Sequence, residues 1–180
     1  MRLLVLASAF LLALSELRVA TLAQGRPART PDIFFVPTRH AVADEMLKLA
    51  GVNTQDVVYD LGSGDGRILI LAAQKYGARG VGIELDPNLV ATSRGIASEG
   101  GVADKVTFIE GDLFTADISQ ATVVTLYLSA RINRDLEPKL RRELKPGTRI
   151  VSHQFPIGDW KADETLKGSD ETDLYLWIVR

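Results

Sequence analysis

The sequence predicts an α/β fold: a mostly parallel sheet with helices on both faces and an antiparallel strand near the C-terminal end. Three observations predict it. From residue 38 onwards, short apolar runs bounded by turn residues alternate with longer segments of helical period. The stretch DLGSGDGR, residues 60–67, joins the first of those runs to the segment after it and places glycines at 62, 64 and 66. The final stretch, residues 173–180, is apolar and β-prone on both faces, as a strand lying between two neighbours must be.

Each element has its own signal. Residues 38–52 read as a helix with Thr38 as cap, Val42, Met46 and Leu49 on one face, and Gly51 as terminator. Residues 56–62 form a buried strand. Residues 67–77 form a helix whose apolar face carries Ile68, Leu71, Ala72 and Tyr76 and which Gly77 stops. The run at 80–84 is a second strand. Asp86 caps the next helix, with Pro87 at its first position, and Gly100 and Gly101 end it. Strands follow at 105–111 and 121–128. A helix is expected at about 135–144, with Leu136, Leu140 and Leu144 on one side and Pro138 in its first turn, where proline is tolerated. A turn at 145–147 leads into a strand at 148–153, and a hairpin of strands occupies about 163–179.

Composition narrows the function. Apolar residues make up 46% of the 180, enough for a sizeable core. The absence of cysteine excludes disulfides, thiolate metal sites and cysteine nucleophiles, and with only His40 and His153 no metal centre is expected. A net charge of −2 argues against a nucleic-acid-binding surface, and no nucleic-acid partner is expected. Residues 1–23 pair Arg2 with an apolar run of signal-peptide length, too short to span a bilayer comfortably. They read as an export leader, with cleavage after Ala23, or as an anchor giving membrane association; a misassigned start would make the protein cytoplasmic. Residues 24–34 read as a linker and 35–180 as the functional domain.

The glycine loop carries the chemistry. A strand-to-helix turn needs one glycine; three in alternation imply a ligand lying against the backbone. Position 67 is arginine where the dinucleotide fingerprint has its third glycine, and the G-x-x-x-x-G-K-[ST] phosphate loop is absent. Glu84 ends the second strand, twenty residues after Gly64, where a carboxylate can accept from both hydroxyls of a ribose. Asp60 and the G-x-G-x-G spacing resemble motif I of the class I S-adenosylmethionine-dependent methyltransferases, a Rossmann-like fold. On that resemblance Asp60, Gly62, Ser63, Gly64, Gly66 and Glu84 bind S-adenosylmethionine, and Asp112 of EGDLF sits beside the adenine.

A narrower resemblance spans residue 35 to the end, carried by FVPTRHAVADEMLKLAGV, VVYDLGSGDGRILILAAQKYGARGVGIELDP and LKPGTRIVSHQFPIGDW. These resemble a small family of protein-lysine methyltransferases that includes the mitochondrial ATP synthase c-subunit and adenine nucleotide translocase enzymes. The resemblance implies lysine methylation of a protein substrate, a membrane protein among the candidates. The [DN]PP[YF] motif used by other methyltransferases on amide and ring nitrogens is absent after the fourth strand, replaced by LYLSARIN. There Tyr127, Ser129 and Asn133 are placed to line an acceptor channel. His153, ending the fifth strand, takes up a proton or makes a structural hydrogen bond, and Trp160 lines the channel or packs in the core. The FVPT stretch is placed to close over the cofactor. The alternatives are a small-molecule methyltransferase and an S-adenosylmethionine-binding protein without turnover.

Overall fold

In the computed structural model the described residues are 35–180. The expected leader at 1–23 and the whole of the linker at 24–34 lie outside them. Seven strands form one sheet: β1 (Val57–Leu61), β2 (Arg79–Glu84), β3 (Val106–Glu110), β4 (Val123–Leu126), β5 (Arg149–His153), β6 (Glu164–Lys167) and β7 (Asp173–Ile178). Their order is β3-β2-β1-β4-β5-β7-β6. The first five are parallel; β7 is antiparallel to both its neighbours, β5 and β6. The expected insertion of the last strand is therefore met, and Trp177 on β7 is fully buried.

Strand alternation divides the core into two layers. Val58, Val123 and Val151 pack with α1 (His40–Leu49), α2 (Arg67–Tyr76) and α3 (Pro87–Glu99). Tyr59, Leu61, Val124, Leu126 and Ile150 face the other way, against α4 (Ala130–Glu143). Each such side chain contributes roughly 1.5–3 kcal/mol when fully buried.

Two sequence expectations are corrected. Thr38 does not cap α1: the cap position is Arg39, with no side-chain cap bond, and Thr38 is buried instead. Its carbonyl accepts a hydrogen bond from Arg67 Nη1 at 3.0 Å, which ties the segment before α1 to the glycine loop. The last helix starts at Ala130, not near 135, because Ser129 caps it and accepts from the Ile132 N–H. Pro138 thus lies inside α4, not in its first turn. It is tolerated because it faces solvent, where water can satisfy the carbonyl that loses its partner. Asp86 does cap α3, accepting from the Asn88 N–H at 2.8 Å ahead of Pro87.

Candidate active site

The strand order reverses between β1 and β4, and ligands of such sheets bind outside the carboxyl ends of the strands at that point. A cavity of about 380 Å³ opens there, within the range of small-molecule sites. Its floor is the glycine loop. Its walls are residues 35–38, the end of β2, the loop after β3, the end of β4 and the first turn of α4.

All three loop glycines take left-handed conformations, with φ of 85° at Gly62, 54° at Gly64 and 79° at Gly66, which L side chains rarely adopt. A Cβ at Gly62 would stand 2.7 Å from Leu128 Cδ2, and one at Gly64 2.3 Å from the Phe35 ring. Both neighbours line the cavity. Gly66 differs: its Cβ would meet Phe108 and Ser93, so it serves the packing of α2 against the sheet. Gly82 in β2 is required in the same sense, since a Cβ there would lie 2.6 Å from Ser63 Oγ.

The carboxylates do different jobs. Glu84 holds the loop to the end of β2: Oε2 accepts from the Gly64 N–H at 2.8 Å, and Oε1 from the N–H groups of Leu85 and Asp86. Three backbone bonds leave part of its acceptor capacity for a ligand. Asp60 is buried and accepts from Thr125 Oγ1 at 2.7 Å. Burial first, then the nearby Glu84 and Asp65 carboxylates, push its pKa up to about 7. Asp65 itself is engaged by Arg67, whose Nε and Nη2 donate to it. Asp112 lines the cavity and accepts from the Phe114 N–H at 2.9 Å. Ser63 Oγ is buried with no hydrogen-bond partner among the described residues, an orphan polar atom in the cavity wall.

The expected acceptor-side residues separate on folding. Tyr127 lines the cavity. Ser129 is the α4 cap and does not line it. Asn133 is fully buried behind the site, its amide donating to Ser152 Oγ and the Phe155 carbonyl. His153 is buried beside Tyr127, ring centroids 4.1 Å apart, with Nε2 bonded to Asp170 Oδ2 and Thr172 Oγ1. Burial lowers its pKa, opposed by Asp170. Trp160 stacks on the Arg141 guanidinium at 3.7 Å, away from the cavity. Most residues missed in the sequence are apolar: Leu89, Leu113 and Phe114 on one side, Leu128 and Ile132 on the other; Thr38, Arg67 and Asp86 line the cavity as well. The correct start of α4 would have exposed Ile132 as a wall residue. Among the described residues, no cluster of His, Cys, Asp and Glu is suited to hold a metal.

The ANTKMT methyltransferase domain family matches residues 60–164, from Asp60 to the start of β6. The chain belongs to that family. A protein-lysine N-methyltransferase of Saccharolobus islandicus (strain REY15A) is 40% identical over 83% of this chain and 95% of its own length. The lysine N-methyltransferase of Homo sapiens named for the ATP synthase c-subunit is 36% identical over 87% of this chain and 69% of its own. Among solved structures, an RNA methyltransferase from Salinibacter ruber in complex with S-adenosylhomocysteine is 56% identical. It covers 80% of this chain and 94% of its own, with a TM-score of 0.78. In this ANTKMT-family domain the matched segment contains the glycine loop, Glu84, Asp112 and the whole wall formed by β4 and α4.

Proposed function

We propose that this protein is an S-adenosylmethionine-dependent protein-lysine N-methyltransferase. The observation that carries the cofactor assignment is Asp60: a buried carboxylate in a cavity wall with no cation of the chain paired to it among the described residues. An ionised carboxylate there needs a cation from a ligand, and the cofactor has an ammonium group. The rest of the cavity fits as well. The left-handed glycines admit close approach to the backbone, Ser63 Oγ is a ready partner, Glu84 retains acceptor capacity toward a ribose, and Asp112 sits with Leu113 and Phe114 where a flat base can pack.

When bound, the cofactor supplies a methyl group made electrophilic by a sulfonium. The chain's own work is orientation and desolvation. Tyr127, Leu128 and Ile132 give the acceptor side a largely apolar wall, which disfavours the charged form of a lysine amine. Of the cavity-lining side chains among the described residues, the one obligate cation, Arg67, is committed to Asp65. Ser129 and Asn133 support α4 and the loop beyond β5, so Tyr127, backed by His153, is the favoured contact with the acceptor.

The names of the relatives support a protein-lysine acceptor; the Salinibacter ruber name supports a second reading, an RNA acceptor. The net charge of −2 weighs against that second reading, because phosphate-backbone binding draws on excess Lys and Arg. One experiment decides. Purified protein with labelled cofactor is offered membrane extract, total RNA and a small-molecule fraction. Label on lysine, located by peptide mass spectrometry and rising with pH toward the amine's solution pKa of about 10.4, is expected. Label on RNA, or on small molecules alone, would replace the lysine reading. Residues 1–23 remain proposed as a leader or anchor, and mass spectrometry of the mature N-terminus distinguishes the two. Among the described residues, no helix is long and apolar enough to cross a membrane.

Removing the Glu84 carboxylate tests the ribose assignment. Glu84→Ala is expected to weaken cofactor affinity about ten- to a hundredfold, since charge-assisted hydrogen bonds are worth roughly 1.5–3 kcal/mol. It loses the clip on the Gly64 N–H as well. Unchanged affinity by calorimetry in a folded variant would remove Glu84 from the site.

A further inference from the structure

Resting on the S-adenosylmethionine reading above, we propose that Thr125 is a positioning residue for the cofactor: its hydroxyl holds Asp60 in the ionised form that receives the ammonium group. Asp60 and Thr125 are direct partners in the β1–β4 ladder, so their side chains leave the sheet on the same face. Both are buried, and Thr125 Oγ1 donates to Asp60 Oδ1 at 2.7 Å. The same hydroxyl lies 3.4 Å from the Tyr59 carbonyl.

A hydroxyl has one proton to give and can also accept. With Asp60 ionised, that proton goes to the carboxylate. With Asp60 protonated, the carboxyl O–H donates to Oγ1 and the threonine proton turns to the Tyr59 carbonyl. Both states are satisfied, but the bond to the charged form is the stronger one. The other charged groups facing Asp60 oppose ionisation: Glu84 from the end of β2 and Asp65 from the glycine loop. Arg67, the nearest fixed cation on that loop, is spent on Asp65 and the Thr38 carbonyl. Thr125 is the neighbour that lowers the Asp60 pKa against burial. Nothing in the glycine-loop motif signals this, because the residue stands on a different strand, 65 positions further on.

The test is binding, not turnover. S-adenosylhomocysteine, which has the ammonium but no sulfonium, is titrated calorimetrically between about pH 5.5 and 8.5, beside 5′-methylthioadenosine, which lacks the amino-acid group. For the unaltered protein, S-adenosylhomocysteine affinity should rise with pH as Asp60 ionises, while methylthioadenosine affinity stays flat. Thr125→Val keeps the shape and removes the donor. Its midpoint should move up by about one pH unit, a tenfold loss of affinity below the midpoint, and Thr125→Ser should restore the original profile. Should the valine variant not fold, Thr125→Ala and Thr125→Ser, which differ by the hydroxyl alone, make the same comparison. Superimposable profiles for variants with and without the hydroxyl would overturn the role of Thr125. Failure of the unaltered protein to bind S-adenosylhomocysteine at any pH would instead overturn the cofactor reading.

Discussion

Valine at position 62 is expected to abolish S-adenosylmethionine binding while circular dichroism shows an unchanged fold. Two effects add. The backbone at Gly62 has φ of 85°, a region that costs a branched residue of order 1–3 kcal/mol. The new Cβ would also stand 2.7 Å from Leu128 Cδ2, so that Leu128 must move into the cavity or the loop must lift from the end of β2. Either change occludes the space that a ligand would fill. Gly64→Val is expected to act alike, but through Phe35, an exposed ring able to swing aside, so its folding penalty is smaller. Calorimetric titration with S-adenosylhomocysteine reads both. Tight binding retained by either folded variant would reduce that glycine to a turn former.

Asp60→Asn is expected to have two effects of opposite sign. In the ligand-free protein the folded-state pKa of Asp60 is raised to about 7, well above the unfolded value. Ionisation is therefore harder in the folded state. Stability contributed by this group is intact at acid pH, is lost as pH rises from about 4 to about 7, and stays lost above that. Asparagine cannot ionise, so the variant should be more stable than the parent at pH 7–8, by on the order of a few kcal/mol and so with a higher melting temperature, and lose that advantage near pH 4. Its affinity for S-adenosylhomocysteine should fall at least tenfold, because a neutral amide does not pair with the ammonium. A variant that melts lower at pH 8, or that binds as tightly as the parent, would contradict the assignment of Asp60.

The glycine-loop half of the candidate site was legible because it is local. The alternation of apolar runs, the glycine spacing, Asp86 and Pro87 at a helix start and Glu84 at a strand end are all short-range signals, and each stands where the sequence places it. The acceptor half was less legible. Tyr127, Ser129 and Asn133 look equivalent in the run LYLSARIN, yet one lines the cavity, one caps a helix and one is buried behind the site. The difference is one of period. Ser129 caps α4, so the residues beyond it turn by helical steps and Ile132 meets the cavity while Asn133 turns inward. Reading the helix as starting near 135 concealed that change of period.

Residue order along the chain was enough to specify the sheet-and-helix alternation, the glycine loop at its strand-to-helix turn and the class of cofactor, because backbone conformation and spacing are properties of sequence neighbours. Which side chains meet across the loop was settled only on folding. The fold places Thr125 beside Asp60, the Phe35 ring over Gly64, and the Arg67 guanidinium on the Thr38 carbonyl. These contacts depend on strand register and on the approach of segments 29 to 65 residues apart. A one-residue slip of β4 against β1 would turn Thr125 to the opposite face, leaving Asp60 buried without its hydrogen bond.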